Sequence, residues 1–402
     1  MKILMVNKFL YSRGGAENYM LRLGDCLASL GHEVRYFGMY DEKNTVGNDD
    51  NLYTSNMDFH TKSIGRFLYP FKIIYSLEAK KKIGKVLDSF KPDIVHMNNI
   101  NFQITPSIIG EVKKRNIPLV QTVHDYQMIC PNHLLYNLSK ESICEKCITG
   151  SKFNCAKYSC IHGSKVKSII GSIEAILYSV LKTYKNVDKY ICPSYFLENK
   201  LLESGDTFKG RTCTLHNFIE KATVSKKQDE EYIAFAGRIS KEKGIEILAQ
   251  AAKMLPDIKF VVAGTGPDED ILKGIENVHM TGFLTGEKLE EVISGAKALL
   301  VPSIWYENCP LSILEAHSMG TPVITMARGG MAELVKDNVN GILFSEPDAE
   351  SLAAAIRKTT DESFNKIQEN CIENKDDVIL VENYCEDLLK VYNELTEVEK
   401  NA

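Results

Sequence analysis

Two glutamates with seven residues between them, Glu307 and Glu315, bracket the segment Trp305-Tyr306-Glu307-Asn308-Cys309-Pro310-Leu311-Ser312-Ile313-Leu314-Glu315. The apolar run ALLVPS (298–303) precedes it, and Pro310 suits the first position of a helix. Glu307 then lies in the loop before that helix and Glu315 lies inside it, ~7–8 Å further along the axis at 1.5 Å per residue. Free N–H groups of the first turn fall between the two carboxylates. This spacing suits a nucleotide sugar: sugar hydroxyls at one carboxylate, diphosphate over the helix N-terminus, ribose hydroxyls at the other. The plain alternative makes one glutamate a cap and the other a surface residue.

Two more loops carry residues of the same chemistry. Gly237-Arg238-Ile239-Ser240-Lys241-Glu242-Lys243-Gly244 follows the strand pattern YIAFAG, and Arg238 with Lys243 could clamp a diphosphate, at about 1.5–3 kcal/mol per charge-assisted bond. Alternatively they are solvated surface cations. In Asn7–Glu17 the pair Gly14-Gly15 ends a loop and opens a helix, which suits phosphate at the positive end of the helix dipole, or is simply a tight turn. Neither this pair nor Gly264-Thr265-Gly266 has the third glycine of a dinucleotide fingerprint; Glu269 stands there in the second case. A nicotinamide enzyme is disfavoured.

A third chemistry lies in Cys130, Cys144, Cys147, Cys155 and Cys160, which fall within 31 residues of a chain holding 11 cysteines. The spacing of Cys144, Cys147, Cys155 and Cys160 suits four thiolates around a structural zinc, with Cys130 left over and His133 or His162 as substitute ligands. Buried free thiols or a redox pair are the other readings. Zinc would pin an insertion at about 126–164.

The elements that must position these loops are short β-branched runs alternating with amphipathic stretches. ILMVN (3–7), VRYFG (34–38), DIVHM (93–97), PLVQTVH (118–124) and KYICPS (189–194) read as strands of a first parallel sheet. YIAFAG (232–237), KFVVAG (259–264), ALLVPS (298–303) and PVITM (322–326) read as strands of a second. In open α/β sheets ligands bind beyond the carboxyl ends of strands, where the three loops fall. The charged stretch 219–231 reads as a linker. Residues 361–402, with 12 acidic and 4 basic residues, read as a solvated pair of helices.

Taken in order, AFAGRISKEKG, AGTGP, WYENCPLSILEAHSMGTPVI and ARGGMAELVKDNVNGILF closely resemble retaining glycosyltransferases of family 4. The likeness is strong over about 232–345 and looser before it, where Gly14-Gly15 and Val123-His124-Asp125 fit the pattern. The resemblance implies the glycosyltransferase-B fold, two Rossmann-like domains facing across a cleft: an acceptor-side domain over 1–218, a donor domain over 219–375, and a C-terminal helix over 376–402 packing back on the first. It further implies that Arg238 and Lys243 neutralise the donor diphosphate, that Glu307 holds the donor sugar and Glu315 the ribose, and that backbone groups around Asn308, Cys309 and Leu311 face sugar and phosphates. Gly15 would close over the diphosphate and His124 would lie near the reacting sugar. The co-substrate is a nucleotide sugar, UDP-linked in preference to GDP-linked, and no catalytic metal is expected. For retention, the departing phosphate takes the acceptor proton, so no protein nucleophile is required.

The net charge of −5 conceals an asymmetry. Residues 1–218 hold 29 basic and 20 acidic residues and the remainder 19 and 33, giving +9 and −14. The basic half suits an anionic surface rather than nucleic acid, unless charge simply drifts between domains. Residues 62–91, basic and interleaved with aromatics, and the apolar stretch 169–181 suit an interfacial helix on anionic lipid, or helices packed on the sheet. The first strand is too short for a signal segment and no run reaches ~18–20 apolar residues, so the expected location is cytoplasmic, on the inner face of the membrane. The acceptor expected is a glycan, lipid-diphosphate-linked, in surface polysaccharide assembly. Rivals are a nucleotide-sugar epimerase or sugar phosphorylase of this fold, and a catalytically silent zinc-stapled scaffold.

Overall fold

The computed structural model describes residues 1–56, 69–224 and 230–400. Of the basic stretch 62–91, residues 62–68 lie outside the described residues, as do 225–229 of the linker. The chain divides into two compact units, Met1–His216 with Val381–Ala402, and Asn217–Leu380.

The first unit contains β1 (Lys2–Val6), β2 (Glu33–Phe37), β3 (Ile94–Met97), β4 (Leu119–Thr122), a small antiparallel pair β5 (Tyr136–Asn137) and β6 (Ser142–Ile143), β7 (Lys189–Cys192) and β8 (Thr212–Thr214). Six of these form a parallel sheet in the order β2-β1-β3-β4-β7-β8. Ile3, Leu4, Met5, Ile94, Val95, Leu119 and Val120 are fully buried, as continuous apolar runs must be when helices cover both faces of a sheet. The second unit contains β9 (Glu230–Ala236), β10 (Lys259–Ala263), β11 (Val278–Gly282), β12 (Ala296–Val301), β13 (Val323–Met326) and β14 (Gly341–Phe344). Its order, β11-β10-β9-β12-β13-β14, is the doubly wound arrangement in which the third, second and first strands are followed by the fourth, fifth and sixth.

Three strands of the sheets escaped the sequence reading: β8, β11 and β14, all at sheet edges. An edge strand pairs on one side only and needs no long apolar run; β8 is Thr-Cys-Thr, half-buried throughout. Between β3 and β4 the chain forms a 3₁₀ turn over Pro106–Ile108 and a short helix Ile109–Lys113, with Thr105 at φ 72°. One helical expectation shifts. The acidic tail is not merely solvated: Phe364–Glu373 buries Phe364, Ile367 and Cys371, and Val381–Lys400 buries Tyr384, Cys385, Leu388 and Tyr392. Acidic residues occupy the outer faces and apolar ones the inner.

The last helix is fixed to the first sheet by a buried polar chain. Tyr384 Oη meets Tyr19 Oη at 2.6 Å, Tyr19 Oη meets Thr122 Oγ1 at 3.1 Å, and His96 bridges Thr122 Oγ1 (2.7 Å) and Tyr392 Oη (2.5 Å). Burial and the neighbouring His124 push the pKa of His96 down to about 3, so it is neutral and can both donate and accept.

The insertion between β4 and the helix Lys165–Val180 is held by that helix's inner face. Ser172 Oγ accepts from Ala156 N and donates to Lys152 O, and Ser168 Oγ accepts from Ile161 N at 2.9 Å. Glu174 shares this face, and burial together with the Asp125 charge pushes its pKa up to about 8. A raised carboxyl pKa means the folded chain binds more protons than the unfolded one between pH about 4.5 and about 8, so stability falls as pH rises through that window. Glu174→Gln, which keeps the shape without the charge, is expected to melt above the parent chain at pH 8–9 and to approach it at pH 5. A pH-independent gap between the two melting curves would show that Glu174 is not perturbed.

Candidate functional site

In the second unit the strand order reverses between β9 and β12, and the loops following these neighbours share the carboxyl end of the sheet. After β9, the 3₁₀ turn Lys241–Lys243 closes on Gly244 at φ 78°, where a Cβ would lie 2.0 Å from Pro302 O. Only glycine lets the two loop backbones meet this closely. Ile304 N then donates to Glu242 O at 3.0 Å, and Lys243 Nζ reaches Glu307 Oε1 at 2.5 Å. Ser303 Oγ and Trp305 Nε1 donate to the same oxygen at 2.7 Å each, and Lys243 Nζ lies 5.3 Å from the centre of the Trp305 ring.

Glu307 is 9% exposed. Burial works to raise its pKa, but the Lys243 charge and the hydrogen bonds from Lys243, Trp305 and Ser303 outweigh it and hold the carboxyl below its ordinary value. It is therefore an ionised, well-solvated acceptor. The loop around it is pinned by Gly330 N to Glu307 O (2.8 Å), Asn217 Nδ2 to Cys309 O (2.9 Å) and Arg328 to Ile304 O.

The helix after this loop is Leu311–Ser318, with Pro310 as its N-cap rather than its first residue and no side chain capping it. Glu315 lies on it, half-buried, and Asn308 and Leu311 flank its start. Cys309 is buried and its thiol is pushed up to about 12 by burial, which leaves it neutral and inert as a nucleophile. Arg238, exposed at the end of β9, has no ion-pair partner among the described residues. Gly264 sits at φ 154° with a Cβ position 1.8 Å from Gly237 O, so its glycine serves the packing of the loops after β9 and β10.

The sequence brought Glu307, Glu315, Arg238 and Lys243 forward as separate charges. The structure instead joins Lys243 to Glu307 and adds Ser303 and Trp305, which sequence reasoning missed. The signal was present: Ser303 and Trp305 precede Glu307 by four and two residues in a strand-end loop, where side chains can converge on one carboxylate.

In the first unit the order reverses between β1 and β3. The loop after β1 leads to Gly14, the extended N-cap of the helix Gly15–Ser29. His124 follows β4, and its Nε2 lies 2.9 Å from Asn98 Oδ1, an oxygen that only accepts, so Nε2 carries the proton. Burial pushes the pKa of His124 down to about 4, with Asp125 opposing and Lys8 assisting. The Tyr19 ring meets it edge-on at 5.0 Å. Around it, Asn98 Nδ2, Asn101 Oδ1, Gln127 Nε2 and His133 Nε2 are buried without a partner among the described residues. Asn98, the residue that sets the tautomer of His124, was not singled out from sequence.

The cysteines of the insertion lie close to one another in part. Cys147, Cys155 and Cys160 pack together against Tyr158 and Ile161, while Cys144 is half-exposed. Among the described residues no group of three His, Cys, Asp or Glu side chains is arranged to hold a metal ion. The thiols act as small apolar groups with local hydrogen bonds: Cys155 to Cys160, Asn137 Nδ2 to Cys160 Sγ at 3.6 Å, and Cys130 Sγ to Asn132 Oδ1 at 2.8 Å. Lys152 donates to Ile129 O and Cys147 O and ties the insertion's backbone.

Two doubly wound units, the second with charged residues converging at its switch point, define the glycosyltransferase-B class. The chain belongs to Glycosyltransferase Family 4: the model of that family matches residues 13–222, and that of the group 1 glycosyl transferases matches residues 217–378. It is similar to an uncharacterized 42.6 kDa protein in the cps region of Klebsiella pneumoniae, 25% identical over 83% of this chain and 87% of that one. Among solved structures it is similar to sucrose-phosphate synthase from Thermosynechococcus elongatus (TM-score 0.72, 18% identity, 99% of both chains). It is also similar to HepE from Anabaena in complex with UDP and glucose (TM-score 0.65, 16% identity, 98% of this chain and 99% of that one). The protein is a glycosyltransferase.

Removing the ammonium from the Glu307 pair leaves a buried, uncompensated carboxylate. Lys243→Met is expected to destabilise the chain, with about 3–5 kcal/mol as the ceiling for a broken buried pair, reduced here because the Lys243 side chain is 27% exposed. Adding Glu307→Gln should return most of that loss in urea unfolding. If the double variant is no more stable than Lys243→Met, the pair is not what organises the loop.

Proposed function

We propose that the chain is a retaining glycosyltransferase that moves a sugar from a nucleotide sugar, UDP-linked, to a lipid-linked glycan acceptor in surface polysaccharide biosynthesis. The observation that carries this reading is the Lys243–Glu307 pair beside an uncapped helix start at the switch point of the second sheet. An ammonium has three N–H donors and Glu307 uses one, so Lys243 keeps two for a diphosphate. Arg238, unpaired and exposed at the end of β9, is suited to a second set of forked bonds. Together they would stabilise charge developing on the leaving nucleotide. Glu307 Oε2 and the half-buried Glu315 are the acceptors for sugar and ribose hydroxyls, with Asn308, Cys309 and Leu311 lending backbone groups.

Glu307 is a poor nucleophile in this setting. One of its oxygens accepts three hydrogen bonds, and its lowered pKa marks a carboxylate stabilised in its charged form. Cys309 is neutral. Both support retention without a covalent enzyme intermediate, the acceptor attacking from the face that the nucleotide leaves. His124, neutral at pH 7, is assigned to the reacting sugar and acceptor, and Gly14 and Gly15 to the donor diphosphate.

UDP and glucose accompany HepE, and the cps region holds the Klebsiella relative; both support the proposed donor and setting. No described helix is long and apolar enough to cross a membrane, so a lipid-linked acceptor would be met at an anionic membrane surface, which the +9 charge of residues 1–218 favours.

Nucleotide release by slow hydrolysis, measured across a panel of UDP- and GDP-sugars, tests the donor without an acceptor being guessed. Release from at least one UDP-sugar is expected, reduced at least 100-fold by Arg238→Ala. Glu307→Gln should slow release and yield no glycosylated peptide; recovery of a sugar adduct on Glu307 in the parent chain would overturn the mechanism. Silence across the whole panel would overturn the donor assignment.

A further inference from the structure

The helix Lys165–Val180 is built inside out. Its buried face holds Ser168, Gly171, Ser172, Glu174 and Tyr178, which are mostly polar or small. Its outer face holds Val166 (68% exposed), Ile169, Ile173 (42%) and Val180 (72%), followed by Leu181 just past its end. At 100° per residue, Val166, Ile169, Ile173 and Val180 fall within an arc of roughly 60°, opposite the buried set. A helix packed on a soluble core has the reverse arrangement, because burying serines gains little and exposing isoleucines forgoes the hydrophobic term.

The buried face explains itself. Ser168 and Ser172 hold the insertion through its backbone, and Gly171 gives it room, since a Cβ there would lie 2.5 Å from Ile161 Cδ1. Nothing among the described residues accounts for the outer face. Its charges do: Lys165 and Lys167 at one end and Lys182 and Lys185 at the other are exposed, and the only acidic residue of the helix, Glu174, is buried. Val180 and the exposed Phe153 share the rim of a 560 Å³ cavity that Lys152 and Lys182 also line.

We propose that this face is a docking surface for an anionic lipid bilayer, with the helix lying in the plane of the headgroups, its apolar stripe inserted among the acyl chains and its terminal lysines on lipid phosphates. The proposal rests on the acceptor being presented at a membrane and deepens that reading by naming the surface. Apolar side chains with lysines at both ends and no exposed acid fit an anionic interface. A second copy of the chain would bring the same lysines against one another and is disfavoured.

The test is flotation of the full chain with phosphatidylcholine vesicles containing 30% phosphatidylglycerol, against phosphatidylcholine alone. The parent chain is expected to float only with the anionic vesicles. Ile169→Ser with Ile173→Ser and Val180→Ser should lower the bound fraction at least tenfold with an unchanged melting temperature, all three being exposed. Ile173→Trp should show a blue-shifted emission increment over the single native Trp305 on adding anionic vesicles. Unchanged flotation of the triple variant, or the absence of that shift, overturns the proposal. So does a parent chain that sediments as a dimer which the triple variant dissociates. Nucleotide release by the triple variant should equal that of the parent, so a loss of donor chemistry is read separately from a loss of docking.

Discussion

A carboxylate taken out of water must find donors or be protonated, and the second unit is arranged around one such group. Glu307 takes three donors on a single oxygen, from the loop after β9 and from its own loop after β12. Those loops come from adjacent strands, and the reversal of strand order between them leaves the crevice in which the carboxylate sits. Gly244 and Gly264 let the loop backbones close. Remove the charge pairing and these features lose their common purpose: Lys243 would return to solvent, and the Trp305 indole N–H would need another acceptor. The same pairing uses one oxygen of Glu307 and one N–H group of Lys243, so in the proposed function the remaining groups are the ones that would meet the donor.

The first unit solves a similar problem with neutral groups. His96, Thr122, Tyr19, Tyr384 and Tyr392 form a buried chain in which every member can donate and accept, so no charge is stranded. That chain ties the last helix of the protein to the sheet and abuts His124 through the Tyr19 ring. The last helix thus packs beside β4, the strand that leads into His124.

The insertion shows what a composition pattern settles and what it leaves to the fold. Five cysteines in 31 residues do gather, with three of them in one cluster. Those three gather under a lysine and two serines that satisfy the local backbone, and Cys144 is half-exposed. Metal-ligand spacing fixes which residues can be near one another along the chain. It does not decide whether their sulfurs point at a common centre.

Much of the fold and part of the site were legible in the sequence. Buried parallel strands must be continuous apolar runs, so β1, β3, β4, β9, β10, β12 and β13 announced themselves, and with them the strand-end loops where Glu307, Lys243, Arg238 and His124 stand. Edge strands β8, β11 and β14 obey no such rule and were silent. Spacing placed Glu315 on a helix and Glu307 just before it, because helical rise is fixed by the backbone. What spacing could not supply was direction: that Lys243 turns onto Glu307, that Ser303 and Trp305 join it, that Asn98 sets the tautomer of His124, and that Lys165–Val180 turns its serines inward and its isoleucines outward. Each of these depends on neighbours brought from distant parts of the chain by sheet order, and an amphipathic pattern names two faces without saying which one the rest of the protein will cover.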